Sequence, residues 1–337
     1  MIPLSIRGVG MVSSVGNGAL ECSASVRAGV ARVATTAVMS RGRAPLRMAL
    51  VPNDGLHPLP LVDAAPRSTR HRRILRLAHA AIVEASDAAG GAPLPVSLVT
   101  SALDTQSELL LDDLALLLGE RVERASSRHF ATGAAGVFVA LLDAAHRIAA
   151  GETGAVMVVG ADSLLDLRRL DALQQARRLL VDDVMDGFIP GEGAAALVVS
   201  AAGAGAMATI AAVGAGDDPF RHEGELPLTG DGLTRAAQAA LGDTPTPVRE
   251  VWCDLNGEAW TAREWGLAAR RCHRWMAPEV EVRHPAEFFG DPGAAAGAML
   301  LTLAAVGLYR GTSRGPSLVW SRTDAGLRGA ARLERSG

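Results

Sequence analysis

The stretch RHFATGAAG, from Arg128 to Gly136, followed by VFVALL at 137–142, decides how the rest of the chain is interpreted. It has the pattern of a tight turn that leads into the N-terminus of an apolar helix. Many enzymes place a nucleophile at such a turn, because backbone N–H groups and the helix dipole stabilise an anion there. The spacing puts Phe130 at the apex, and phenylalanine cannot act as a nucleophile. The sequence therefore predicts a helix over 131–150 that begins at a turn without a nucleophile.

The composition is that of a densely packed α/β protein. Of 337 residues, 49% are hydrophobic, 37 are Gly, and only 4% are aromatic, whereas a disordered chain would be more charged and less apolar. A net charge of −3 gives no electrostatic basis for nucleic-acid binding. All 33 residues in the Lys+Arg count are Arg. The lack of Lys excludes Schiff-base chemistry on a lysine, and with it pyridoxal phosphate as a cofactor.

The cysteines and the apolar segments predict a cytoplasmic protein without metal, cofactor or membrane association. Cys22, Cys253 and Cys272 are odd in number and widely spaced, which is typical of reduced thiols, and no zinc-like spacing is present. The first ten residues lack the features of a signal peptide. The apolar stretch 293–309 is too short to span a membrane and predicts a buried core helix. The glycine turn 8–13 lacks the third glycine of a dinucleotide-binding fingerprint, so we interpret it as a tight turn.

Strand-like and helical patterns alternate along the first half of the chain. Apolar runs separated by turn signals predict strands at 2–9, 95–101, 155–160 and 194–200. Helical periodicity predicts helices at 71–88 and 105–119, and the Pro- and Arg-containing stretch 35–70 is predicted to be irregular.

Two segments of this first half recur later in the same order: PLPV at 93–96 as PTPV at 245–248, and GAAG at 133–136 as AAAG at 294–297. The first match places Asp104 opposite Asn256, and the second places Phe130 opposite Asp291. Because each match lies in a similar strand–helix context, a duplication explains them better than chance similarity between Ala-rich helices.

The repeat predicts two duplicated βαβ-type halves, 1–205 and 206–337, packed as one unit. With right-handed crossovers, such halves would form layered mixed sheets between helices.

Over nearly its whole length the chain resembles the β-ketoacyl synthases, the condensing enzymes of the thiolase fold. The segments that carry the resemblance are IRGVGMVS at 6–13, FATG at 130–133, AVMVVGA at 155–161, DGFIPGEGA at 186–194 and GDPGAAAG at 290–297. The resemblance implies a thiolase-like α/β fold and a relation to the acyltransferases of fatty acid and polyketide biosynthesis.

The same resemblance implies that the catalytic residues of the family are missing. In the family a Cys at the nucleophile turn carries the acyl chain, two His residues assist decarboxylation, and a Lys supports the second His. The corresponding positions hold Phe130, Asn256 and Asp291, and the Lys position falls near Ala286. Asn can donate a hydrogen bond but cannot transfer a proton. We therefore expect no catalytic residue of the family type.

Polar residues around these positions form a candidate vestigial pocket, in which Phe130 is predicted to act as a plug. Its members are His129, Phe130, Thr132, Cys253, Asn256, Glu258 and Asp291. The simpler interpretation of Cys253 is a small buried hydrophobic residue, and that of the carboxylates is pairing with some of the many Arg residues.

Two classes of function follow. The first is a catalytically inactive ketosynthase-like protein that acts as a partner subunit of the chain-length-factor kind, or as an adaptor or scaffold for another system. The second is an acyltransferase, condensing or hydrolytic enzyme of the same superfamily with a non-standard site at Cys253, Thr132 or the Glu258/Asp291 carboxylates. Expected partners are a second copy, a ketosynthase-like subunit, an acyl carrier protein or another protein client.

The resemblance also predicts a two-fold dimer built on the strand at 155–160. This run, AVMVVG, has no polar side chain, and a strand this apolar is hazardous as a free edge. We expect it to continue the sheet into a second subunit, unless its neighbours come from the same chain.

Overall fold

A computed structural model describes residues 1–58, 67–101, 109–222 and 224–337. The strands are β1 (Leu4–Val12), β2 (Ala34–Met39), β3 (Pro45–Met48), β4 (Val96–Val99), β5 (Arg128–Phe130), β6 (Ala155–Ser163), β7 (Glu192–Ala201), β8 (Ala208–Asp217), β9 (Val248–Cys253), β10 (Met276–Arg283), β11 (Ser317–Arg322) and β12 (Leu327–Glu334). The helices are α1 (Ala19–Arg27), α2 (Thr69–Ala88), α3 (Leu109–Leu118), α4 (Gly136–Ala149), α5 (Leu167–Gln175), α6 (Asp231–Leu241), α7 (Ala259–Arg271), α8 (Ala286–Phe289) and α9 (Ala296–Tyr309).

Ten strands form one sheet in which the same pairing scheme occurs twice. The order is β5-β4-β6-β7-β1 in the first half and β10-β9-β11-β12-β8 in the second. In each half the two outermost pairings are parallel and the two inner ones antiparallel. The two halves meet where β1 pairs with β8. Hydrogen bonds between these two strands join the sheets predicted for the two halves into one. This repeated scheme supports the proposal of a duplication with its boundary between β7 and β8.

The helices form layers around the two halves of the sheet. Helix α2 packs on β1, β7 and β6, and α6 packs in the same way on β8, β12 and β11. Helices α4 and α9 contact each other and strands of both halves, so they lie between them. Small residues allow this close packing: a Cβ added to Gly160 of β6 would come within 2.8 Å of the Ala298 Cβ atom of α9.

Most elements predicted for the first half are present in the structure. The helix predicted at 71–88 is α2, the strands predicted at 2–9, 155–160 and 194–200 are β1, β6 and β7, and the core helix is α9. The stretch 35–70 was expected to be irregular but contains the β2–β3 hairpin. Asp104 and the first residues of the helix predicted at 105–119 lie outside the described residues, and the described part of that helix is α3.

The strand predicted to lie at the dimer interface is in the interior of the sheet. β6 pairs with β4 on one side and with β7 on the other, both from the same chain. Its run of apolar residues is explained by helices on both faces, α2 on one and α4 with α9 on the other. Within the described part of the chain, the terminal strands of the sheet are β5 and β10.

A small cap covers one end of the sheet. The β2–β3 hairpin and α5 share a separate hydrophobic cluster made by Leu46, Met48, Leu164, Leu170, Leu179 and Phe188. Arg41 beside the hairpin pairs with Asp171 of α5 at 2.8 Å, which joins the two parts of the cap. No helix in the described ranges has the length and apolar character needed to cross a membrane.

Candidate functional site

A cavity of about 250 Å³ lies under this cap, where loops of both halves meet. Its floor is formed by the turn before α4 and by the turn before α9, so the N-termini of two related helices face the same space. Its walls come from α5, from the loop after β9, and from the β11–β12 hairpin. The lining residues include Thr132, Gly133, Ala134, Leu164, Arg169, Leu173, Arg178, Phe188, Asp254, Asp291, Arg322 and Asp324.

The turn before α4 faces the cavity with residues 131–134, the last of which is Ala134, and not with Phe130. Phe130 is the last residue of β5: it lies opposite Val99, and its carbonyl accepts a hydrogen bond from the Thr100 amide at 3.0 Å. The chain then turns at Gly133, whose φ of +74° suits glycine, and α4 begins only at Gly136. The predicted helix start at 131 and the predicted position of Phe130 in the site are therefore wrong. Alanine, like phenylalanine, has no nucleophilic group.

His129 and Phe130 do not line the cavity. Both lie on β5 and are half-buried, and Phe130 packs against the main hydrophobic core. The His129 ring is within 2.9 Å of the Thr100 hydroxyl through Nε2, and burial lowers its pKa. The proposed plug is thus an edge-strand residue.

Asn256 and Asp291, at the two histidine positions of the resemblance, form a hydrogen-bonded pair. The Asn256 amide donates from Nδ2 to Asp291 Oδ2 at 2.8 Å and to Glu258 Oε2 at 3.1 Å. Asp291 Oδ1 accepts the Gly293 amide at 2.8 Å. Burial raises the pKa of Asp291, although these hydrogen bonds and the nearby Arg322 oppose the rise. Asn256, Glu258 and Asp291, three of the predicted site residues, are therefore brought together in one hydrogen-bonded network.

Arg178 closes the cavity by joining the cap to the second half of the chain. Its guanidinium donates to both oxygens of Glu258, at 2.7 and 2.8 Å, and to Asp324 at 2.6 Å. Burial would raise the pKa of Glu258, but the hydrogen bonds and charge of Arg178 outweigh it and lower that pKa. The pKa of Asp324 is lowered for the same reason. Glu258 is therefore an ionised partner of Arg178 and unsuited to act as an acid.

Asp254 lines the same cavity and was not identified from the sequence as a site residue. Its Oδ2 accepts the Arg322 amide at 2.8 Å, while Oδ1 is shielded from solvent and has no hydrogen-bond partner in the described structure. Burial raises the pKa of Asp254 to about 7, the charge and amide of Arg322 oppose this, and the charges of Asp291 and Glu264 add to it. Its only sequence signal is its position directly after the apolar residues at the end of β9.

Cys253 and Thr132 lack the surroundings of activated nucleophiles. Cys253 is fully buried beside a void of about 10 Å³, donates to the Arg283 carbonyl at 3.3 Å, and has a pKa raised by burial. Nucleophilic cysteines need the thiolate, so this thiol is in the wrong environment. Thr132 lines the cavity, but no side-chain base is hydrogen-bonded to its hydroxyl among the described residues. Across the described ranges, no cluster of three His, Cys, Asp or Glu residues could hold a metal ion.

The site as a whole can bind and orient charged groups. It has two helix N-termini, arginines and two carboxyls, Asp254 and Asp291, whose pKa values burial raises, but its lining contains no hydroxyl or thiol that is hydrogen-bonded to a side-chain base. Hydrogen bonding and charge neutralisation are the chemistry that this arrangement supports.

Solved structures with the same fold include ketosynthases and their complexes. The ishigamide ketosynthase/chain length factor superimposes with a TM-score of 0.78 at 18% identity, covering 100% of both chains. AntDE:AntF, a type II polyketide synthase acyl carrier protein in complex with its ketosynthase bound to the hexaketide, gives 0.78 at 16% identity over 99% of each chain. The ketosynthase ApeO in complex with its chain length factor ApeC from Xenorhabdus doucetiae gives 0.76 at 16% identity, over 99% and 98%.

No family model matches the chain, and no curated protein matches it in sequence. The structural likeness confirms the predicted fold: the chain has the thiolase-like fold of the ketosynthases, with a large mixed sheet between helices.

Proposed function

We propose that this protein is a non-catalytic, ketosynthase-like partner subunit that pairs with an active ketosynthase, as ApeC does with ApeO. The observation that carries the proposal is Ala134 at the N-terminus of α4, where a condensing enzyme needs its nucleophile. Asn256 and Asp291 are engaged with each other, so neither is free to transfer a proton to a substrate. A subunit of this kind contributes through its surface and shape rather than through bond-making.

The surface that we propose for pairing is the outer edge of β5, with which no strand of the described ranges pairs. The backbone N–H and C=O groups of Phe130 face β4, because its carbonyl accepts a hydrogen bond from the Thr100 amide. Because backbone groups alternate sides along a strand, those of His129 point away from β4 and toward the edge. An unpaired edge of this kind accepts a strand from another chain. Arg128 pairs with Asp143 of α4, so β5 is anchored to the body behind it.

A tagged copy purified from its native host tests this proposal. We expect a stoichiometric complex with a ketosynthase that carries an intact Cys nucleophile, burying on the order of 2,000 Å² as stable assemblies do. Purification of the protein alone, together with condensing activity of its own, would refute the proposal.

The enzyme alternative rests on one favourable observation, the raised pKa values of Asp254 and Asp291 in the cavity. A carboxyl that stays protonated near neutral pH can serve as a general acid. Hydrolysis of acyl thioesters by the purified protein that is lost in Asp254→Asn would favour this alternative over the partner-subunit role.

A further inference from the structure

We propose that the cavity between the α4 and α9 turns binds a small molecule with a carboxylate at one end and a short hydrocarbon chain at the other. The proposal goes beyond the partner-subunit role and does not depend on it, because all of the groups involved belong to this chain.

The first ground is a cation, Arg169, that acts on Asp162 and Asp324 only through longer-range charge and has no direct ion pair among the described residues. Arg169 of α5 lines the cavity and is half-buried, and its guanidinium makes no ion pair or hydrogen bond among the described residues. The two other arginines of the lining differ, since Arg178 and Arg322 both pair with Glu258 and Asp324. An unpaired guanidinium beside a cavity matches the geometry of a carboxylate, which it can bind through two parallel hydrogen bonds.

The second ground is the difference between the two helix N-termini that face the cavity. The turn before α9 is already neutralised, because Asp291 accepts the Gly293 amide at 2.8 Å and Asp162 accepts the Ala294 amide at 2.9 Å. Helix α4 has no side-chain cap and no acidic residue in its first turn. The first amides of α4 already donate to carbonyls of the preceding turn, so what the helix presents to the cavity is the positive end of its dipole without a side-chain counter-charge, and a bound anion would supply one.

A third, independent ground is a buried donor on the same lining. The side chain of Arg322 is only 6% exposed, and its Nε has no hydrogen-bond partner in the described part of the chain. Buried donors of this kind are normally satisfied, by the protein, by water or by a ligand. A ligand oxygen in the cavity would satisfy it.

The remaining walls fix the size and the other end of the ligand. Leu164, Leu173 and Phe188 give the cavity an apolar side. Its volume of about 250 Å³ is below the roughly 300 Å³ at which pockets for drug-sized ligands begin. It has room for about eight waters at roughly 30 Å³ each, so a carboxylate with a few carbon atoms fits.

Isothermal titration at constant ionic strength tests the proposal with three probes: butyrate, its neutral analogue butyramide, and inorganic phosphate. We expect butyrate to bind and butyramide not to bind. Arg169→Gln should weaken butyrate binding by about tenfold or more, since hydrogen bonds to charged groups contribute about 1.5–3 kcal/mol. Arg168→Gln is the matched control, because Arg168 is an exposed neighbour on α5 and its loss removes the same charge. It should leave binding unchanged.

Three results would overturn the proposal. If butyrate binds no more tightly than butyramide, the carboxylate does not contribute to binding. Phosphate binding without butyrate binding would make the cavity a site for inorganic anions. Equal losses in Arg168→Gln and Arg169→Gln would show a general effect of charge. The comparison of butyrate with butyramide uses the unmodified protein, so it stands even where a variant folds poorly.

Discussion

The proton on Asp254 should make the stability of the protein depend on pH. Burial raises the folded-state pKa of this carboxyl from about 3.8 to about 7. A group whose pKa is raised by folding stabilises the protein at low pH, and this contribution is lost as the pH rises through the folded-state value. At about 1.36 kcal/mol per pKa unit, the full contribution is about 4 kcal/mol, and about 2.5 kcal/mol of it disappears between pH 5 and pH 8.

The assay is urea unfolding of the wild type and Asp254→Asn at pH 5, 6, 7 and 8. Asparagine cannot ionise, so the variant keeps its free energy of unfolding where the wild type loses it. Histidines also titrate in this range, but they do so in both proteins and cancel in the difference. We expect the difference, variant minus wild type, to rise by about 2.5 kcal/mol from pH 5 to pH 8.

The control is Asp182→Asn, because Asp182 is exposed and forms no ion pair in the described structure. Its difference from the wild type should stay flat across the same pH range. A flat difference for Asp254→Asn, or one that falls as the pH rises, would show that folding does not raise the pKa of this cavity carboxyl.

Three further outcomes are expected. Arg178→Met should cost about 3–5 kcal/mol in urea unfolding because buried Glu258 loses both hydrogen bonds from its cation and keeps only Arg322 at 3.7 Å, and adding Glu258→Gln should restore part of that; full stability of the single variant would contradict the closing role of Arg178. Phe130→Ala should cost only about 1–2 kcal/mol, against about 3–5 kcal/mol for the fully buried Phe138→Ala, and equal losses would show that Phe130 is a core residue. His129→Pro removes an amide that β4 does not use, together with the contact of the His129 ring with the Thr100 hydroxyl, so light scattering should show loss of the complex while the monomer loses some stability; an unaffected complex would place the interface away from β5.

The sequence was sufficient to predict most elements because its patterns are strong along whole elements, whereas the thiolase-like fold was implied by the resemblance to the β-ketoacyl synthases. The helical periodicity of 71–88 and the apolar run of 155–160 each follow from burial on one or both faces. The repeat of PLPV and GAAG predicted the duplication, which the two matching five-strand orders support. The same apolar run led to the wrong position for the dimer strand, because a strand in the interior of a sheet and a strand buried in an interface have the same composition.

The site was harder to predict because it depends on where a turn begins. Phe130 and Ala134 are four residues apart, and periodicity does not separate the end of β5 from the start of α4. Gly133 marks the turn, but its positive φ is visible only in the structure. Arg169 and Arg178 gave no sequence signal at all, since they are two among many arginines, and only the folded cap brings them to the cavity.

The central claim, that this chain has a ketosynthase fold without ketosynthase chemistry, is tested most directly by intact mass spectrometry. The purified protein is incubated with acyl-CoA and with acyl carrier protein thioesters. We predict an unchanged mass, since Ala134 lies at the nucleophile turn and Cys22, Cys253 and Cys272 are all buried. A stoichiometric acyl adduct that maps to Cys253 or Thr132 would contradict the claim.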